Sequence, residues 1–148
     1  MRYAALDIGD TRTGVALSDV SGRIASPHVV FNTRELLKEG ALLQRFIEDY
    51  EIEHFVIGHP LTLSGERGSQ ARHIEALATK ILRACGYLEE DAQALGNEHV
   101  TFYDERLSSV AAKQSLAAQE MHEKQMRGKV DKVAAALFLQ SYLDTLNA

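Results

Sequence analysis

Apolar residues in the first third of the chain fall in short runs, and later they recur mostly at helical spacing. Tyr3 to Ile8 is the first run. Gly14-Val15-Ala16-Leu17-Ser18 is the second, after the turn-like Gly9-Asp10-Thr11-Arg12. Ile24 to Val30 is the third, after Asp19-Val20-Ser21-Gly22. Runs bounded in this way predict three strands, and their short connections predict an antiparallel meander. Asn32-Thr33-Arg34-Glu35 matches a capping box, with Asn32 as N-cap and Glu35 at N3. Leu36, Leu43, Phe46, Ile47 and Tyr50 continue it as one amphipathic helix. His54-Phe55-Val56-Ile57-Gly58 reads as a short strand buried on both faces.

A loop from Pro60 to Gly68 and a helix from Ser69 to about Cys85 come next. Leu88 to Glu98 is polar and acidic and reads as a surface excursion. Val100 to Asp104 is a fifth strand. Ser108 or Ser109 caps a helix through about Gln119, Met121 to Gly128 is loop or frayed helix, and Lys129 to Leu146 is the last helix. Three hairpin-linked strands followed by alternating helices and strands predict an α/β mixed sheet with helices on both faces.

Two of these strands stop on carboxylates, at Asp7 and at Asp104-Glu105, and Asp131 opens the last helix. Three acids delivered by three elements are what a divalent-metal site for phosphodiester chemistry requires. Each also has a plain structural reading. Asp7 satisfies turn amides, Glu105 pairs with Arg106, and Asp131 complements the helix dipole. Strand alternation sends Asp104 and Glu105 to opposite faces, so only one joins Asp7, and Glu105 is the favoured one. Asp131 shares a helix face with Ala134, Ala135 and Phe138, where a carboxylate needs a charged partner.

Gly58 permits close approach of another backbone or a phosphate, and Pro60 fixes the chain's exit. His59 is a substrate contact, a proton-transfer group or, the favoured reading, a solvated loop histidine. Arg12, Arg67, Arg106, Arg127, Lys129 and Lys132 are candidate phosphate contacts, Arg12 and Arg106 first.

Composition narrows this only a little. The chain has 148 residues, 45% hydrophobic and 25% charged, which fits one domain spanning 1–148 with a real core. A net charge of −5 argues against nonspecific coating of nucleic acid while leaving room for a local basic groove. No apolar run approaches a membrane span, and no signal pattern opens the chain. The single cysteine, Cys85, reads as a buried thiol and fits a reducing cytoplasm. His54, His59 and His73 lack zinc-ligand spacing.

Asp7-Ile8-Gly9 with Arg12 and Gly14-Val15-Ala16, then Gly58-His59-Pro60-Leu61, then Asp104-Glu105-Arg106-Leu107-Ser108, then Gly128-Lys129-Val130-Asp131 resemble the YqgF family, also called RuvX. The four motifs occur in order over nearly the whole chain. The resemblance implies a ribonuclease H-like fold, a five-stranded mixed sheet with three antiparallel and two parallel strands flanked by helices. It implies Asp7, Glu105 and Asp131 as catalytic, metal-binding acids, with Mg2+ or Mn2+ as cofactor. Hydrolysis would use one or two ions, one lowering the pKa of the attacking water and the other stabilising the leaving oxygen. Arg12, Gly58, Pro60, Arg106 and Lys129 are the substrate-binding candidates. The implied substrate is pre-16S rRNA, with the ribosome as a further partner, or branched DNA of the Holliday-junction kind. Two departures stand out: His59 replaces a usually apolar residue, and Leu88 to Glu98 is long.

Two other classes compete. A sugar-kinase or actin-like ATPase also opens with Asp-x-Gly, but it needs a second similar domain, and no second Asp-x-Gly occurs here. A non-catalytic ribosome- or transcription-associated binding factor would not need all three acids. Monomer and homodimer both stay open, a junction resolvase requiring the symmetric dimer.

Overall fold

The structure, a computed structural model, describes residues 1–107 and 130–148. Strands β1 (Tyr3–Ile8), β2 (Arg12–Ser18) and β3 (Ala25–Asn32) form the meander. Helices α1 (Thr33–Lys38) and α2 (Gly40–Tyr50) lead to β4 (His54–His59), and α3 (Ser69–Ala84) leads to β5 (Val100–Asp104). A 3-10 turn, Glu105–Leu107, ends β5, and α4 (Val130–Leu146) comes last. The sheet order is β3-β2-β1-β4-β5. The first three strands are antiparallel, as their short connections predict, and β4 and β5 run parallel to β1, as the family resemblance implies. The helix expected from Ser108 or Ser109 to Gln119, the segment Met121 to Gly128, and the substrate candidate Lys129 lie outside the described residues.

Side-chain alternation on β1 divides the interior. Ala4, Leu6 and Ile8 face Leu36, Leu43, Phe46, Ile74, Ile81 and Leu82 of α1, α2 and α3. Ala5 faces the other way and, with Ala16 and Val56, meets Ala135, Phe138, Leu139 and Leu143 of α4. These side chains are almost wholly withdrawn from water, and their burial is the main force holding the helices to the sheet. Polar ties fix α4 along its length. Gln140 accepts from the Ala25 amide (2.8 Å) and donates to the Arg23 carbonyl (2.9 Å). Asn147 donates to the Gly22 carbonyl (3.0 Å). The far end of α4 is thereby tied to the β2–β3 turn, and its first turn is set over the opposite end of the sheet.

Two local expectations are modified. Asn32 does cap a helix, accepting from the Glu35 amide (3.1 Å). That helix, however, breaks at Glu39 (φ −121°, ψ 87°) and restarts at Gly40. A Cβ on Gly40 would run into the Ala84 carbonyl at the end of α3, so the two helices touch backbone to backbone there. The 88–98 segment is an excursion, but an anchored one. Leu88 and Ala94 are buried among the side chains of α3. The Ala94 amide donates to Thr79 Oγ1 (3.0 Å), and Arg83 Nε donates to the Ala92 carbonyl (2.8 Å). Its acids lie on the α3 side of the sheet, away from α4. Cys85 is buried as expected, and burial pushes its thiol pKa up. Among the described residues no helix is long and apolar enough to cross a membrane.

The Gly40 contact can be tested by its sign. Helix propensity alone makes Gly40→Ala stabilising by about 0.5–1 kcal/mol. The close approach to Ala84 reverses this, and a loss of about 1–3 kcal/mol is expected in chemical denaturation. A variant as stable as the parent would show that the approach is not what breaks the helix.

Candidate active site

Asp7 lies on the α4 face of the central strand, in line with Ala5. Its position opposite on β2 is Gly14. On the other side β4 pairs through Leu6 and Ile57, and Gly58 follows. Both neighbours of Asp7 therefore lack a side chain on the face where it points. Other acids fill the space. A Cβ on Gly14 would overlap the backbone of Asp131 and Lys132, so the first turn of α4 rests directly on β2. A Cβ on Gly58 would stand 2.5 Å from Glu105 Oε1 and 3.0 Å from the Phe138 ring. The expectation that Gly58 admits a close approach is met by the carboxylate of Glu105.

Register decides between Asp104 and Glu105. His59 pairs with Asp104 in the β4–β5 ladder, on the face shared with Ile57 and α3. Glu105, one residue on, comes to the α4 face, as alternation predicts.

Electrostatics ties the three acids together. Burial, then the charges of Glu105 and Asp131, push the Asp7 pKa up to about 7. Glu105 is also raised, by burial first, with His59 opposing and Asp104 adding. Asp131 is half-buried and paired with Arg12, Nε to Oδ2 3.3 Å. Among the described residues, no three His, Cys, Asp or Glu side chains stand close enough to hold a metal ion as placed. By chemistry the set nonetheless suits a hard divalent cation: three carboxylates from three elements lie on one face of the sheet, near enough for Glu105 and Asp131 to act on the charge of Asp7.

The opposite face carries a polar network with no counterpart in the sequence analysis. His59 is not a solvated loop residue but the last residue of β4, 7% exposed. Its Nε2 donates to Glu75 Oε2 (2.6 Å). Arg67 donates to both oxygens of Glu75 (2.8 and 2.5 Å). Arg67, and then His59, hold the Glu75 carboxyl below its usual range against the cost of burial. A signal was present: Glu75 lies on the buried stripe of α3 with Ala71, Ile74, Ala78 and Leu82, where a carboxylate requires a cation. Next to His59, Asp104 is gripped by Arg106, Nη2 to Oδ2 2.6 Å and Nε to Oδ1 2.9 Å. Arg106 Nη1 also donates to the carbonyls of Thr62 (3.2 Å) and Leu63 (2.9 Å). Of the substrate candidates, Arg12 stands 55% exposed beside Asp131, while Gly58 and Pro60 mark the end of β4 next to Glu105.

A family model described as RuvX, Holliday junction resolvase, matches residues 1–145. The chain belongs to the RuvX family. A RuvX relative from Chloroflexus aurantiacus, named "Putative pre-16S rRNA nuclease", is 36% identical over 140 residues, covering 95% of this chain and 84% of the relative. One of the same name from Anaeromyxobacter is 35% identical over 148 residues, covering both chains completely. Thermus thermophilus RuvC superposes with a TM-score of 0.54 at 16% identity, over 99% of this chain and 96% of that one. RuvC from the same organism in complex with a Holliday junction substrate gives 0.53, over 100% and 96%. That likeness establishes the ribonuclease H-like fold of this RuvX family member.

The raised Asp7 pKa fixes the direction of a pH effect. The folded state holds the Asp7 proton more tightly than the unfolded chain. The stability it contributes is therefore fully present below about pH 4 and lost as pH rises through about 7. In chelator, Asp7→Asn should match the parent near pH 4 and exceed it by about 2–4 kcal/mol at pH 8. Equal urea midpoints for the two proteins at pH 8 would mean that Asp7 is not under strain.

Proposed function

We propose that this protein is a metal-dependent nuclease that hydrolyses phosphodiester bonds in the 5′-end maturation of pre-16S rRNA. The observation that carries the reading is the convergence of Asp7, Glu105 and Asp131 over Gly14 and Gly58. The names of the relatives supply the substrate. Asp7, Glu105 and Asp131 would hold Mg2+ or Mn2+. A bound ion supplies Lewis acidity at the phosphate and lowers the pKa of the attacking water. Asp7, on the central strand, is the fixed member of the group. Glu105 reaches it from the turn after β5, and Asp131 from the first turn of α4.

Arg12 turns its exposed guanidinium to the same end of the sheet and is suited to a backbone phosphate beside the scissile one. Lys129, next to α4, is assigned the same role. Gly58 and Pro60 keep the exit of β4 low, so that the strand to be cut can approach Glu105. The net negative charge fits a nuclease that binds weakly outside its substrate. The natural setting of such an enzyme is the cytoplasm, on or near the assembling ribosome.

A second reading is Holliday-junction resolution, favoured by the description of the family model. It requires two active sites on one junction and hence a symmetric dimer.

The test is cleavage of a 5′-extended small-subunit rRNA precursor with magnesium or manganese, beside a four-way DNA junction. Wild type should cut the precursor, and Asp7→Asn, nearly isosteric, should lose the activity while remaining folded. Cleavage retained by Asp7→Asn would sink the proposed site. Cutting of the junction alone would move the assignment to recombination.

Gly58→Ala provides an independent check. Its methyl meets the flexible end of Glu105 and the Phe138 ring. Stability should fall by about 1 kcal/mol, while cleavage falls at least about tenfold, as expected of a misplaced ligand. Full activity in that variant would remove Glu105 from the site.

A further inference from the structure

The loop between β4 and α3 runs beside the acids, and it is held in an unusual way. Its turn is closed by the Gly65 amide donating to the Thr62 carbonyl (2.8 Å) and the Thr62 amide donating to the Glu66 carbonyl (2.9 Å). Thr62 Oγ1 accepts from the Glu66 amide (3.1 Å). Two arginines then pin the loop to the body of the protein. Arg67 fastens its exit to Glu75 and, through Glu75, to His59. Arg106 fastens its tip, since one guanidinium spans the Asp104 carboxylate and the carbonyls of Thr62 and Leu63. Gly65 lies against that guanidinium with φ +86°, and a Cβ there would stand 3.2 Å from it. The anchors, His59 and Asp104, are paired neighbours in the sheet.

Glu105 lies between Asp104 and Arg106 in the chain. The residue before it is held by the guanidinium of the residue after it, and Arg106 also donates its own amide to Asp104 Oδ1 (3.1 Å). The backbone carrying Glu105 is therefore closed into a small ring and stapled to the loop. Nε, Nη1 and Nη2 are all engaged by the Asp104 carboxylate and the two carbonyls, so a bidentate phosphate contact would have to displace one of these acceptors.

We infer that Arg106 is a positioning residue, a staple that holds the Thr62–Gly65 turn and Glu105 as one rigid unit for the substrate, rather than a contact to the phosphate backbone. The inference rests on the nuclease reading for its catalytic consequence, but the staple itself is measurable without substrate. A loop held in this way needs the planar, five-donor head of arginine, and lysine cannot bridge three acceptors in the same geometry.

The experiment compares wild type, Arg106→Lys, Arg106→Gln and Gly65→Ala in three measurements. Amide exchange over residues 60–68 reads the staple directly, and all three variants should exchange at least about tenfold faster there while α3 and β1 stay protected. Steady-state cleavage of the precursor RNA should show kcat reduced about tenfold or more with KM within about twofold, the signature of misplacement rather than lost binding. The slope of log binding constant against log salt should match wild type, whereas loss of a phosphate contact lowers it by about one. Gly65→Ala should reproduce the pattern without touching a charge. Unchanged exchange in Arg106→Gln would overturn the staple. A reduced salt slope with kcat preserved would make Arg106 a phosphate contact and overturn the inference. A wild type that cuts nothing would defeat the nuclease reading instead, and the exchange data would still support or refute the staple.

Discussion

Asp7 is a carboxylate on the inner face of the central strand, at a place where sheets otherwise bury apolar side chains. Its two flanking positions in the sheet are glycines, and that constraint organises the rest. Gly14 lets the backbone of α4 settle onto β2, which brings Asp131 within electrostatic reach. Gly58 leaves the volume that Glu105 fills. The absence of two side chains from the sheet surface leaves a recess that the Glu105 carboxylate, the Phe138 ring and the backbone of Asp131 approach. Burial and the charges of Glu105 and Asp131 raise the proton affinity of Asp7, the member set on the central strand.

The sheet separates this unstable gathering from a well-compensated one. On the α3 side, Arg67 neutralises Glu75 and Arg106 neutralises Asp104, while His59 is hydrogen-bonded to Glu75. Alternation along β4 and β5 assigns Gly58 and Glu105 to one side and His59 and Asp104 to the other. Consecutive residues thus belong to different surroundings: Asp104 joins the framework on the α3 side, and Glu105 turns to the recess beside Asp7. The 88–98 segment also packs on the compensated side, away from the recess.

Much of this was legible in the residues themselves. Strand runs, turn residues and the Asn32 cap gave the order of elements, because each depends on local sequence. Alternation alone sent Asp104 and Glu105 to opposite faces, and the pairing of His59 with Asp104 shows which face each one takes. What stayed hidden were features set by contacts between distant segments. The break at Glu39 depends on the end of α3 meeting Gly40. The burial of His59 depends on Glu75, and Arg106 reads as a basic residue near acids until the carbonyls of Thr62 and Leu63 are seen beneath it. Gly14 read only as the first residue of a strand run, and its neighbour across the sheet face is the first turn of the last helix. The family motifs located the acids, but they did not indicate which of the basic residues were already engaged.

The acids come from the first strand and from the last helix, with the third from the turn after the final strand. During synthesis the sheet emerges with Asp7 in place long before α4 exists, and the face that α4 covers is meanwhile open. The face stays open, and the group of acids one member short, until β1 and α4, which lie far apart in the chain, have docked on one another.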